Sequence, residues 1–450
     1  MLLRFRVSNH ASLRDEQELS LIADKEQTAR AEQPVPRSGH RVVPVAAVYG
    51  PNASGKSNVI DAIAWMRAAV LSSFRSWDPS GGVPRRPFAF RRNAAEHPSV
   101  FEVEFVMDGV RYDYGFTVDD DRIREEWLYS YPEGKQRRLF ERLGEDPIAF
   151  GRGLTGRRKV IAELLRPNSL YLSVAAAQGH ELLRRIYGWF RHGLGVATDG
   201  DFHKRLDSTI GLFLEDGAQG LQPLLGFLRF ADLGVSGLEV REPEEGVDAE
   251  RQRIVEAIRG IVGDRARIEE TGSSRVLVTH TTEEGVYELD LAHESSGTRT
   301  WIGLLGPVLI TLAQGSVLCV DELDARLHPY LSDALVGMFQ SPKINTRGAQ
   351  LVFSTHEASL LGRSSRTELM RDQVWFTEME AGSRATRLFP LTDFQVRDAT
   401  DNLERRYLQG RYGALPYIDE DLIASLAGGG SAGTSEHVAG PDEGQSSGAA

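Results

Sequence analysis

Eight consecutive residues, Gly50-Pro51-Asn52-Ala53-Ser54-Gly55-Lys56-Ser57, have the types and spacing to hold a chain of phosphates. Gly50, Ser54 and Gly55 permit a tight turn that aims successive amides at phosphate oxygens, and a helix opening near Lys56 adds its positive end. Lys56 has the reach to bridge β- and γ-phosphates, and Ser57 has a hydroxyl for magnesium. Asn52 and Asn58, within and just after the loop, are counted with it as nucleotide contacts. The bland alternative is a Gly/Ser turn before an ordinary helix. The complete pattern, set between an apolar run and an apolar-periodic run, disfavours it.

More than half the chain away, the apolar run Val317-Leu318-Cys319-Val320 ends in Asp321-Glu322. Ligands of parallel sheets sit at such strand ends. Asp321 suits a magnesium-bound water, and Glu322 suits orienting or deprotonating the water that attacks a γ-phosphate. Alone, this pair reads as a solvated turn; together with the loop it reads as the second half of one site. His356 also follows an apolar strand, as a donor to the γ-phosphate or the attacking water, or as a histidine capping a helix. Ser296 and Gly297 stand just before a helix and offer a hydroxyl and an amide as a second anion-binding surface. In a composite site they would reach nucleotide held by a partner subunit; otherwise Ser296 is an N-cap.

The elements that must position these groups follow from periodicity. Alternation at Leu3, Phe5, Val7 and at Leu19, Leu21 predicts two opening strands, residues 42–48 a strand delivering the loop, and 57–72 a helix. Residues 101–106, 112–118 and 123–131 read as antiparallel strands. Apolar spacing then turns helical over 159–165, 173–190, 202–213 and 221–231, and returns to strand at 238–241 and 275–279, with a helix at 249–259 between. Helices at 297–314 and 329–339 alternate with strands at 317–320 and 350–354, which implies parallel pairing. A hairpin at 374–378 and 385–389 and a helix near 398–408 close the ordered chain. The fold class is α/β. Its parts are 1–90 and 236–427 as two halves of a nucleotide-binding head, 91–158 as an antiparallel part, 159–235 as a helical insertion and 428–450 as a disordered Gly/Ser-rich tail.

Composition narrows the function. A 450-residue chain with 41% hydrophobic residues is expected to form two or three packed units. Nothing at the N-terminus resembles a secretory signal, no apolar run suffices for a membrane helix, and the single cysteine, Cys319, excludes an intrachain disulfide, so a cytoplasmic location is expected. A net charge of −12 gives no global attraction to nucleic acid. The doublets Arg85-Arg86, Arg91-Arg92 and Arg137-Arg138 and the triplet Arg157-Arg158-Lys159 leave local polyanion contact open.

The order of motifs resembles the ABC-type ATPases, the class that includes SMC, break-repair and OLD-type heads. It is still more similar to the bacterial AAA family ATPases of the AAA15-like, RloA and abortive-infection group. The similarity rests on the opening Leu3 to Ser12, the run Glu322-Leu323-Asp324-Ala325-Arg326-Leu327-His328-Pro329, and the ending Glu404 to Pro416. The resemblance implies an ABC-type P-loop NTPase head with a mixed sheet, a large α+β insertion and a short C-terminal extension. It implies ATP and Mg2+ as ligands, Ser296 and Gly297 as a signature closing on the opposite subunit's γ-phosphate, Asp324 as the D-loop aspartate and His356 as the switch histidine. It further implies a homodimer or higher oligomer joined through ATP-sandwiched heads. Relatives act in antiphage defence through a toxic nuclease such as a TOPRIM protein, and here that effector would be a separate chain. A glutamine that such ATPases carry before the insertion is absent from residues 88–102. That keeps open a slowly hydrolysing, nucleotide-gated scaffold beside a DNA-maintenance ATPase, although the chain has no heptads for a long coiled-coil arm.

Overall fold

Five fully buried residues, Val45–Tyr49, form the strand on which the architecture is hung. The computed structural model describes residues 1–24, 30–214, 221–241, 275–362, 365, 367, 369–395, 402–416 and 426. Val45–Tyr49 has Gln350–Ser354 on one side and Val374–Met379 on the other, all parallel. Val317–Val320 lies beyond Gln350–Ser354, with Leu194–Ala197 as the parallel edge, and Thr386–Pro390 closes the opposite edge antiparallel. Strands covered on both faces read as continuous apolar runs, as these do. The registers pair Val48 with Ser354, Phe353 with Val320, and Val320 with Ala197, so neighbouring strands end level.

Alternate residues of this sheet enter two cores. Ala46, Val48, Cys319 and Val352 join the helix Lys56–Ser72 through Val59, Ile60, Ile63 and Met66. The same core takes the inner face of a seven-stranded antiparallel sheet, which contributes Phe5, Phe101, Phe105, Tyr114 and Phe116. The helix after the phosphate-type loop is therefore held between two sheets. Val45, Ala47, Tyr49, Leu318, Val320 and Phe353 face the second core, built with the helices Phe202–Leu214, Leu221–Phe230, Ser296–Gln314 and Pro329–Gln340. Trp301 is its largest fully buried side chain. Cys319 is wholly buried, and burial pushes its thiol up to about 12, so it serves as a small core residue.

The antiparallel sheet follows its binary pattern. Phe101, Val103 and Phe105 turn inward while Glu102 and Glu104 turn outward to Arg6 and Arg4. Residues Met1–Leu415 form one compact unit. The expected helix at 249–259 and the tail at 428–450 lie outside the described residues.

Several elements differ from the sequence reading for identifiable reasons. The strand expected over 42–48 is two, Arg41–Val42 and Val45–Tyr49, because Pro44 between them has no N–H to give a ladder. The helix expected over 173–190 is Tyr171–Ala177 and Glu181–Gly188. Gly179 adopts φ +75 there, and its N–H and that of His180 bond back to Ala176 O and Ala175 O, a helix stop that needs a left-handed residue. Within the stretch read as a helical insertion, Leu194–Ala197 is instead an edge strand of the central sheet. A three-stranded sheet of Gly237–Arg241, Arg275–Thr282 and Gly285–Asp290 includes a strand the sequence reading did not contain. Among the described residues no helix is long and apolar enough to cross a membrane.

Candidate active site

Level strand ends deliver their loops to one edge of the sheet. Tyr49 leads into the 50–57 loop, Ser354 into Thr355-His356, and Val320 into Asp321-Glu322. The intervening strand Gln350–Ser354 is thus the bridge between two motifs distant in sequence.

The loop's backbone is fixed from behind by the late hairpin. Gly55 has φ +100, and a Cβ placed on it would collide with the Thr386 hydroxyl; one placed on Gly50 would collide with Thr377. Ser54 is fully buried and shares a 2.6 Å hydrogen bond with Thr377 Oγ1, while Thr386 Oγ1 donates to Ser54 O at 2.8 Å. Ser12 Oγ lies 2.6 Å from Thr386 Oγ1 and accepts from Asn58 Nδ2 at 2.6 Å. Asn58 therefore ties the helix to the N-terminal sheet. Asn52 is exposed on the loop. Sequence reasoning missed Ser12, Thr377 and Thr386, since single hydroxyl residues in a turn or a strand carry no pattern.

Lys56 is only 5% exposed, and its Nζ donates to Gly50 O at 2.8 Å and Pro51 O at 3.0 Å. Burial lowers its pKa, opposed by the charges of Glu322, Asp321 and Asp324, so all three carboxylates lie within electrostatic range of this ammonium. The helix Lys56–Ser72 opens with no side-chain cap and no acid in its first turn, and Ser57 is exposed there. Such an end has free N–H groups and a positive dipole, which favour an anion.

At the carboxylate strand, Ser354 Oγ donates to Asp321 Oδ1 at 2.6 Å and accepts the Glu322 N–H at 2.7 Å. The Leu323 N–H bonds to Ser354 O at 3.0 Å. Glu322 holds φ +53, a left-handed conformation uncommon outside glycine, and is exposed. Asp324 accepts the His356 N–H at 3.3 Å on each oxygen. His356 is exposed and is not a cap: Glu357 caps the short turn Ala358–Leu361.

The second serine turn is fixed differently from expectation. Ser295, not Ser296, caps the helix Ser296–Gln314, its Oγ accepting the Thr298 N–H at 3.0 Å. Ser296 is exposed at the first helical position, and Gly297 packs so closely that a Cβ would stand 3.0 Å from Arg326 O. Glu294, just before, is buried against His280 at 2.6 Å. Of the basic clusters, Arg85 is buried on Asp120, Arg86 pairs with Asp61, Arg137 with Glu133 and Arg138 with Glu141, and Arg158 donates to two carbonyls.

Among the described residues no three His, Cys, Asp or Glu converge as a self-sufficient metal site. Magnesium in phosphate sites does not need one, because one or two carboxylates plus substrate oxygens and water complete its shell. The Ser57 hydroxyl and Asp321 carboxylate are oxygen donors of that kind. The uncapped helix end, the glycines with no room for a Cβ and the lysine within electrostatic range of three acids fit a magnesium-bound polyphosphate.

No curated protein matches this chain. The family model described as "AAA domain, putative AbiEii toxin, Type IV TA system" matches residues 45–362, from the central strand through the loop, both carboxylates and His356. That span is well over half the chain and contains the 50–57 loop, Ser296 and Gly297, both carboxylates and His356, but not Ser12, Thr377 or Thr386. The chain therefore belongs to this AAA-domain family.

Proposed function

We propose that the chain is a magnesium-dependent ATPase of the ABC-type P-loop class, acting as a head dimer that controls a separate effector in antiphage defence. The observation that carries this reading is that Lys56 lies within electrostatic range of Asp321, Glu322 and Asp324, whose strand is separated from the loop strand by one buried strand.

In this reading the amides of residues 50–57 and the uncapped helix end bind the phosphates of ATP. Lys56 leaves its two loop carbonyls for β- and γ-oxygens, where its charge meets the charge that develops on the transferred group. Ser57 and Asp321 would hold magnesium, which would neutralise phosphate charge. Glu322 orients the attacking water; the water oxygen bonds to the γ-phosphorus as the bond to the ADP oxygen breaks, and Glu322 takes the proton. His356 and Asp324, already bonded to each other, contact the γ-phosphate side. Ser296 and Gly297 close on nucleotide in the opposite subunit, so that ATP joins two heads and its hydrolysis parts them. The effector is a nuclease of TOPRIM type supplied by another chain; the family description supports only the toxin–antitoxin setting. The absence of glutamine from residues 88–102 favours, as a second reading, a scaffold that binds ATP and turns it over slowly.

The test is Glu322→Gln. Phosphate release should fall by about a hundredfold or more, while ATP binding persists and mass measurements show a lasting dimer. Unchanged hydrolysis would remove Glu322 from the reaction.

A further inference from the structure

The turn that joins the first two strands of the antiparallel sheet, Leu2–Ser8 and Gln17–Ser20, is bent against backbone preference. Asn9 at φ +54 and Ala11 at φ +50 are left-handed without being glycine, and they flank His10. Such residues persist only where their surroundings over-determine them. Here the surroundings include the phosphate-type loop. Ser12 Oγ accepts from Asn58 Nδ2 at 2.6 Å, and Ser12 O accepts the Thr386 N–H at 2.8 Å. Thr386 Oγ1 in turn donates to Ser54 O at 2.8 Å. One turn residue therefore fixes the loop on both sides of Lys56-Ser57, at Ser54 through the hairpin and at Asn58 directly.

His10 anchors that turn to the same helix. Its side chain is wholly buried, and Nε2 lies 2.6 Å from Asp61 Oδ2. Asp61 follows Ser57 by one turn of the helix Lys56–Ser72, so the two share a face. Arg86 closes the group: its guanidinium donates to the same Asp61 oxygen, and its carbonyl accepts the Ala11 N–H at 2.8 Å. Burial works to raise the Asp61 carboxyl, and the bonds and charges of His10 and Arg86 outweigh it, so the group is held below its usual value. An ionised carboxylate only accepts, so Nε2 is the protonated nitrogen of His10. An imidazole is a poor choice here if packing were its purpose. The ring meets Phe101 edge-on at 5.4 Å and Trp65 at 6.1 Å between centroids, and Nδ1 is buried with no partner among the described residues. An apolar side chain of similar volume would avoid that unpaired atom. What the imidazole adds is a directed bond, which fixes where on the helix the turn is seated.

We propose that His10 and Asp61 are positioning residues for the nucleotide: their bond seats the turn 9–14 on the helix Lys56–Ser72, and the seated turn, through Ser12, sets the spacing of the loop amides and the Ser57 hydroxyl. The consequence for nucleotide rests on the ATPase reading of that loop, whereas the seating of the turn does not. Loop amides meet the phosphates of ATP before and during the reaction alike. Loosening them removes binding common to the ground and transition states, which raises KM and leaves kcat in place.

The test uses the full-length chain. His10→Leu fills the buried space and removes the N–H; His10→Gln keeps an N–H donor at similar reach. In calorimetric titration, magnesium-ATP affinity should weaken about tenfold in His10→Leu and stay within about twofold of wild type in His10→Gln. KM should follow, with kcat within about twofold of wild type in both, and the Tm of His10→Leu should be no lower than that of wild type. Asp61→Ala, at a partly exposed helix position, should weaken binding at least as much as His10→Leu, and the double variant no further than Asp61→Ala, the mark of two residues acting through one bond. Wild-type affinity in His10→Leu, equal losses in His10→Leu and His10→Gln, or additive losses in the double variant would overturn the proposal. Amide hydrogen exchange at residues 54–58, read without nucleotide, should accelerate about tenfold in His10→Leu and not in His10→Gln; unchanged exchange in His10→Leu also overturns it. If the wild type gives no saturable heat, the ATPase reading falls, and exchange alone decides whether His10 and Asp61 seat the turn.

Discussion

Ser354 donates its hydroxyl proton to Asp321 at 2.6 Å while the same oxygen receives the Glu322 N–H. One side chain on the strand beside the loop strand therefore orients both acids on the next strand. Ser354→Ala deletes a bond to a carboxylate and strands a backbone N–H, a combined effect of about 2–4 kcal/mol on the local arrangement. Hydrolysis should fall at least tenfold with ATP affinity reduced less, measured as kcat and KM across ATP concentrations. A kcat within twofold of wild type would show that neither acid depends on Ser354.

Gly55 and Gly109 separate backbone strain from steric contact. Both hold positive φ, +100 and +75, but a Cβ on Gly55 meets Thr386 and Ser12 whereas one on Gly109 meets nothing within 4 Å. Gly109→Ala should cost about 1 kcal/mol of stability and leave nucleotide binding intact. Gly55→Ala should cost more and abolish binding, because the hydroxyls that hold Ser54 must move. Equal effects of the two substitutions in denaturant titrations and nucleotide binding would refute the role given to the hairpin.

The stretches that make up the candidate site were legible because each is contiguous in sequence. Residues 50–57, the run ending at Asp321-Glu322 and the run ending before His356 each combine an apolar strand with a polar exit, and buried parallel strands leave that signature. Gly55 and Gly50 were also readable, since close backbone approach requires them. The supports were not. Thr377 and Thr386 sit in strands and Ser12 in a turn, so only the folded chain shows that they grip the loop. Leu194–Ala197 is four residues with a central glycine, too short to carry a period, and its pairing with Val317–Val320 is a long-range fact. Ser295 was passed over for Ser296 because adjacent serines offer the same chemistry, and the backbone angle alone decides between them.

Asp113 gives a pH-dependent stability change remote from the site. Burial first, then the charges of Glu102 and Glu104, raise its pKa from 3.8 to about 6. The folded state holds this proton more tightly than the unfolded chain. The associated stabilisation is complete below 3.8 and is lost as pH rises through about 6. Asp113→Asn, neutral throughout, should therefore gain stability relative to wild type across that interval, read as a widening difference in Tm. A difference that stays flat from 3.8 to about 6 would contradict the environment assigned to this carboxyl.

The most direct test of the central claim, that Lys56 and the acids at 321, 322 and 324 surround one triphosphate, is a calorimetric titration of magnesium-ATP into wild type and Lys56→Ala. Saturable heat should appear with the wild-type chain and weaken by at least about tenfold in the variant. Absence of saturable heat from the wild type, or an affinity indifferent to Lys56→Ala, would contradict it.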